Sequence, residues 1–248
     1  MTSSSISTTA ATSEDAAQAA VSWLPLIIIV LAQLQMNFSI SALPVSIGPV
    51  SADLNAPPTA IGTALVVYSL FVAAFVMLGA KIGKLFGERL VFQVSVAAHG
   101  LAMVLMTIST NAGMMNLAQV IAGIAAAALV PTLVVLIAAN YRDRQQSQAL
   151  GILASVPAIA SGVAFVVAGF IATALSWRYS FGLIALLAIA VLVLSFRLKP
   201  IPRQPHIRID FVGVMLSDAA MSLLLVCFTN LNKWGLLWAT PAATVSLL

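Results

Sequence analysis

Apolar residues fill this chain in long blocks, and polar residues interrupt those blocks rather than alternate with them. Seven blocks reach the length of a membrane span: Trp23–Gly48, Thr59–Leu78, Val91–Ser109, Met114–Ala138, Leu150–Ala174, Phe181–Phe196 and Phe211–Phe228. A helix crossing a hydrocarbon core of about 30 Å needs about 20 mostly apolar residues. The sixth block is short by itself and must borrow flanking residues. An eighth run, Leu236–Leu248, would be only about 20 Å long as a helix, so an element that is only partly present is expected there. Lipid offers backbone groups no partner, so every block must be helical. The expected fold class is an all-α polytopic membrane bundle.

Composition agrees and narrows the choice. Of 248 residues, 61% are apolar and 7% charged, against about 45–50% and about 25% in soluble domains. So few charges cannot cover a water-soluble globule, which excludes soluble enzymes, nucleic-acid binders and secreted scaffolds. The one cysteine, Cys227, cannot form an internal disulfide. Basic residues gather in alternate gaps: Lys81, Lys84 and Arg89 after span two, Arg142 and Arg144 after span four, and Arg197, Lys199, Arg203 and Arg208 after span six. The remaining gaps hold Arg178 and Lys233. An excess of Lys and Arg marks the cytoplasmic side, so a multi-pass protein of the cell (inner) membrane with a cytoplasmic N-terminus is expected.

Four regions follow from this pattern. Residues 1–22, rich in Ser, Thr and Ala, read as a disordered cytoplasmic tail, since no positive segment of a signal peptide precedes the first span. Residues 23–198 form a six-helix bundle, and 199–210 a stiff, basic, proline-containing linker. Residues 211–248 hold a seventh helix and part of an eighth. Ser41-Ala42-Leu43-Pro44-Val45-Ser46 in span one is echoed by Ala127-Ala128-Leu129-Val130-Pro131-Thr132 in span four. Such an echo suits an inverted repeat of three helices plus three, a common transporter design.

Four motifs then resemble the major facilitator superfamily, especially its fourteen-helix drug:proton antiporter branch. Span one ends in Ala42-Leu43-Pro44. The stretch Gly79-Ala80-Lys81-Ile82-Gly83-Lys84-Leu85-Phe86-Gly87-Glu88-Arg89 resembles the family's loop motif. Gln119 to Gly123, with Pro131 beyond, is similar to the family's helix 4 pattern, and Ser176-Trp177-Arg178-Tyr179-Ser180-Phe181 resembles that branch's segment before helix 6. The resemblance implies a six-helix half of a transporter, followed by a linker helix, and export of drug-like or neutral solutes by alternating access. It also implies an acid in helix 1 and an arginine in helix 4, where this chain has Gln35 and Gln119. In the loop motif, the acid and a base become Lys84 and Glu88.

The residues offer several candidate roles. Gln35 and Gln119 sit at similar depths and either bind cargo by hydrogen bonds or glue helices together as paired amides. Span one carries two polar stripes, Gln33, Asn37, Ser41 and Pro44 on one face and Gln35, Ser39 and Ser46 on the other; only one can face a cavity. Asp218 in span seven, with Ser222 one turn on, is either a proton carrier or a neutral, hydrogen-bonded acid. His99, in mid-span three, is either a packing residue or a proton carrier. In span five, Gly151, Ser155, Ala158, Gly162 and Gly169 form a stripe of small residues near Pro157, suited to close packing and to a helix that rocks. Gly79 and Gly87 are conformational positions of the loop motif, and Lys81, Lys84, Glu88, Arg89, Arg142, Asp143 and Arg144 mark the inner face as an orientation signal or a charge latch.

No phosphate loop, zinc motif or catalytic triad is present in the sequence, so neither a cofactor nor an enzyme activity is expected. Expected partners are a small-molecule substrate and the lipid bilayer, together with either a C-terminal half or a second copy. The alternative is a non-transporting membrane partner or a nonfunctional fragment.

Overall fold

The computed structural model describes residues 22–201 and, beyond them, residues 213, 216–220, 222–224 and 227. The described chain consists of α1 (Leu24–Val45), α2 (Ile47–Leu54), α3 (Pro58–Phe86), α4 (Glu88–Thr107), α5 (Ala112–Asn140), α6 (Asp143–Ile171), a π-turn (Ala172–Ser176) and α7 (Trp177–Ser195). No strand occurs among the described residues. Spans one to six correspond to α1, α3, α4, α5, α6 and α7. The tail 1–21, most of the basic linker and the eighth run lie outside the described residues. Span seven is described only in part, and those residues are helical.

Local chemistry sets the helix ends. Prolines occupy the first turns of α1 and α3, where a missing N–H costs nothing. Asn111 caps α5 by accepting from the Met114 N–H at 2.9 Å, satisfying one otherwise orphaned donor. Asn55 ends α2 in the left-handed region (φ 49°), a conformation asparagine tolerates. Between α3 and α4 the chain reverses through Gly87 alone, at φ 97°, where a side chain would be strained.

Two boundaries differ from the expected spans. Helix α3 runs on through Lys81 and Lys84 to Phe86, since no breaker intervenes before Gly87 and lysine stems can lie along the helix while their charges reach water. Span one stops at Val45, after Pro44, and α2 follows as a separate short helix. Apolar helical structure continues from Asp143 to Ser195, 53 residues, or about 80 Å at 1.5 Å per residue. That is far too long for one crossing. The extended backbone at Ser176 (φ −160°, ψ 141°) divides the run into α6 and α7.

Helix α5 packs between α3 and α4, α1 packs against α6 and α7, and α4 packs against α7. Exchanging span one with four, two with five and three with six maps the α3–α5 contact onto α6–α1, and α4–α5 onto α7–α1. The α3–α5 contact is the tightest. A Cβ at Gly79 would lie 2.5 Å from the Ala127 carbonyl oxygen, and one at Gly123 would lie 2.7 Å from the Tyr68 carbonyl oxygen. The two backbones nearly touch, as small residues permit in lipid, where close packing drives helix association.

The small-residue stripe of span five behaves differently from expectation. Helix α6 buries Ala149, Leu153, Val156, Ala160, Ala164 and Ala168, while Gly151 and Gly162 face open space. Only Gly169 meets a neighbour, 3.1 Å from a Val45 methyl. The tight face is an alanine face, about half a turn from the predicted one. Pro157 lies half-buried within an unbroken α6.

Candidate functional site

The structure separates the two polar stripes of α1. Gln35, Ser39 and Ser46 point into the bundle and are at most 3% exposed. His99 of α4, fully buried, joins two of them. Gln35 Nε2 lies 2.9 Å from His99 Nδ1, and Ser39 Oγ lies 3.2 Å from His99 Nε2. Ser39 donates its own hydrogen to the Met36 carbonyl at 2.7 Å, so the imidazole must donate to Ser39 and accept from Gln35. One neutral tautomer satisfies both contacts. Gln35 Oε1 stays buried without a partner.

Gln119 is also buried, but it faces elsewhere. Its Nε2 donates to the Met106 sulfur at 3.6 Å. The expected pairing of Gln35 with Gln119 does not occur; both amides turn to α4, but Gln35 meets His99 and Gln119 meets Met106, about two helical turns further on. His99, open in the sequence as either a packing residue or a proton carrier, instead bridges α4 to Gln35 and Ser39 of α1. Its signal was present, a lone imidazole at the depth of Gln35, but no spacing rule links residues 64 positions apart.

The second stripe, Gln33, Asn37 and Ser41, is half-buried. Asn37 donates to the Gln33 carbonyl at 2.8 Å, and Ser41 shares a hydrogen bond of 2.9 Å with Ser161 of α6. On the neighbouring faces of α1, α3 and α5, Met36, Ile40, Tyr68, Val72, Ala126 and Val130 help line a cavity of about 300 Å³. Its surface is almost wholly apolar, so it offers a solute shape and desolvation more than charge.

At the end that the sequence assigns to the cytoplasm, Gly79 and Gly87 serve the backbone as described. Glu88 is 5% exposed, and its carboxylate occupies the space a Gly83 side chain would need. Arg89 donates through Nη2 to the Phe196 carbonyl at 2.9 Å, joining the start of α4 to the end of α7. Lys84 and Arg142 are exposed. No ion pair forms here among the described residues, so a latch of the expected kind is not assembled within them. Tyr141 receives the Leu26 N–H at 3.1 Å and donates to the Ser22 carbonyl at 3.0 Å, capping the first turn of α1.

An ion pair forms at the opposite end, unforeseen in the sequence because α2 was unforeseen. Arg178 pairs with Asp53 of α2 and lies over the Trp177 ring at 4.5 Å. Its Nη2 also donates to the Ser109 carbonyl at 2.5 Å, and Trp177 Nε1 donates to Asp53 at 3.0 Å. The hydrogen bond from Arg178 holds the Asp53 carboxyl below the usual carboxylate range. A depressed acid contributes stability that is present above its unfolded value, about 3.9, and lost as pH falls through the folded value. Thermal unfolding in detergent should therefore show a small acid-side destabilisation below about pH 4, and Arg178→Ala should remove that dependence. Both side chains are partly exposed, so the pair is worth about 0–1 kcal/mol; an unchanged acid profile in the variant would contradict the assignment.

Asp218 lies against α3. Its Oδ1 accepts from the Met77 N–H at 3.3 Å, while Oδ2 is buried without a partner. Ser222 donates to the Asp218 backbone carbonyl at 2.8 Å rather than to the carboxylate.

The architecture is thus that of a polytopic helical membrane protein: apolar crossing helices, many large exposed apolar side chains and polar groups turned inward. The sequence profile described as Major Facilitator Superfamily matches residues 26–248, and the chain belongs to that family. It is 26% identical to the puromycin resistance protein pur8 of Streptomyces alboniger, over 86% of this chain and 43% of that protein. It is 25% identical to the cephamycin export protein CmcT of Amycolatopsis lactamdurans, over 85% of this chain and 44% of that one. Among solved structures, a peptide transporter POT in complex with sulfate superposes with a TM-score of 0.64 at 12% identity, covering 90% of this chain and 49% of that chain. The human organic anion transporter MFSD10 gives 0.61 at 15% identity, covering 85% and 56%. The chain spans about half the length of the curated relatives it matches.

Proposed function

We propose that this chain supplies the N-terminal bundle of an exporter of small, neutral or mainly apolar solutes working by alternating access, with its basic loops and N-terminus in the cytoplasm. The apolar recess between α1, α3 and α5, whose wall includes the hydroxyl residues Tyr68 and Ser69 and, on α1, Met36 and Ile40 next to Gln33 and Asn37 in the helix, is the observation that carries this reading. Such a wall binds through shape and displaced water, and the few amides and hydroxyls at its margin orient the solute. The interchangeable packing of spans one to three with four to six supports an inverted repeat. Gln35 and Gln119 are assigned to holding helices rather than to the cargo surface. The activity is assigned to the longer protein, completed by a C-terminal half.

The test is accumulation of puromycin and lincomycin in a sensitive host. The chain would be expressed alone and as a fusion to the C-terminal half of the puromycin resistance relative. Lowered accumulation in the fusion alone supports the reading; lowered accumulation with the chain alone supports paired copies instead, and no change in either, with both proteins present in the membrane, overturns it. For orientation, Lys84→Cys should escape a membrane-impermeant maleimide added outside intact cells, while Asn111→Cys reacts.

Asp218 is the proposed coupling acid: a buried carboxylate against α3, with Lys81 one helical turn from Met77. An intramembrane acid is costly unless it serves such a role. In the completed protein, Asp218→Asn should abolish the dependence of transport on external pH; an unaltered pH profile would exclude the assignment.

A further inference from the structure

At the end assigned to the cytoplasm, a cavity of about 160 Å³ lies between the start of α4 and the chain after α7, with Gly87, Arg89, Gln93 and Pro200 in its wall. Two residues of that wall carry a buried side-chain donor without a partner, Arg89 at Nε and Gln93 at Nε2. Buried donors are almost always paired, and each exception needs an explanation. Arg89 is also held in place, because its Nη2 is engaged by the Phe196 carbonyl. The guanidinium therefore presents its remaining N–H groups from a fixed position. The first turn of α4, which no side chain caps, adds a partial positive charge nearby. Arg197 and Lys199 stand exposed on the adjoining segment.

A second, larger groove adjoins this cavity. It measures about 370 Å³, is almost wholly apolar, and runs between α3, α4 and α5 past Ile82, Val94, Ala98 and Ile121. Phe86 and Leu90 line both spaces, and both are strongly exposed, 55% and 45%. A donor-rich, cationic cavity thus opens beside an apolar groove that leads toward the membrane interior.

We propose that this pair of spaces is a binding site for an anionic glycerophospholipid of the cytoplasmic leaflet. Its phosphate accepts from Arg89 and Gln93, and an acyl chain lies in the groove. A phosphate group offers only acceptors, which the two unpaired donors lack, and basic pockets on the cytoplasmic side of helix bundles suit anionic headgroups. The groove argues for a lipid over a free anion, because a small ion would leave it empty. The inference does not depend on the transport reading, only on this end lying at the inner leaflet.

The chain would be purified from vesicles of equal phosphatidylglycerol and phosphatidylcholine, washed in mild detergent, and its retained lipid measured by native mass spectrometry. Phosphatidylglycerol should be retained preferentially. Gln93→Leu and Arg89→Lys should each weaken retention about tenfold, the effect of losing one charge-assisted hydrogen bond. Without lipid, Gln93→Leu should be as heat-stable as the parent or more so, because an orphaned buried donor has gone; a merely structural glutamine would lower stability and leave lipid retention alone. Equal retention of both lipids, parental retention in both variants, or equal thermal protection by inorganic phosphate in place of lipid would overturn the proposal.

Discussion

Replacing Gly79 with alanine should leave little folded protein. The new methyl carbon would lie 2.5 Å from the Ala127 carbonyl oxygen and 2.6 Å from the Ala128 Cα, so the obstacle is backbone and cannot rotate away. Overpacking a core costs about 1–3 kcal/mol where side chains can adjust; here two helices must separate, and about 3 kcal/mol or more is expected. Gly62, also in α3, provides the control, since nothing lies within 4 Å of its added carbon. Gly62→Ala should be neutral or stabilise by about 0.4–1 kcal/mol through the unfolded chain. Recovery of monodisperse protein after heating in detergent measures both. Similar behaviour of the two variants would show that the α3–α5 contact is looser than described. The same contact explains why the family-like loop motif begins with glycine: the residue is needed for helix approach and is not itself a group that moves charge.

The second large effect concerns the His99 network. His99→Leu should destabilise by about 1–3 kcal/mol, because it strands the buried Gln35 amide. Interhelical hydrogen bonds in membrane proteins average nearer 0.6 kcal/mol, since the membrane-inserted unfolded state also finds partners. The upper range applies here because Gln35 is already one acceptor short, and losing His99 leaves both ends of the amide unpaired. Gln35→Leu alone strands the imidazole Nδ1 instead. The double variant strands neither, so its cost should fall below the sum of the singles by about 1 kcal/mol or more. Gln35→Leu with Gln119→Leu should add within about 0.5 kcal/mol, because those side chains share no partner. Strict additivity in the first pair, or coupling in the second, would refute the arrangement.

Several features were legible in the sequence because lipid imposes them residue by residue. An apolar block of sufficient length has one fate in a bilayer, so each of the first six blocks coincides with a long helix, its ends displaced by up to eight residues where lysines and polar residues extend the helix. Gly87 stood within the loop motif, and the basic residues around it, Lys81, Lys84 and Arg89, lie on helix ends rather than in a loop. The short helix α2 was not legible, since eight residues carry no span signal and its value lies in delivering Asp53 to Arg178. Nor was the packing face of α6 legible: glycine, serine and alanine all count as small, yet alanine at Ala149, Ala160, Ala164 and Ala168 meets α1 while Gly151 and Gly162 look outward.

What the amino-acid order determined alone is the helical, membrane-crossing class and the alternate gaps in which its charges gather, because transfer into lipid acts on each segment independently. Tertiary structure decided the partners. Gln35 could have turned toward Gln119 or His99, and the two stripes of α1 were equivalent until α4 and α6 packed against them. Those choices depend on rotation of one helix about its axis relative to another, a quantity set by side-chain fit between residues far apart in the chain and invisible to any local pattern.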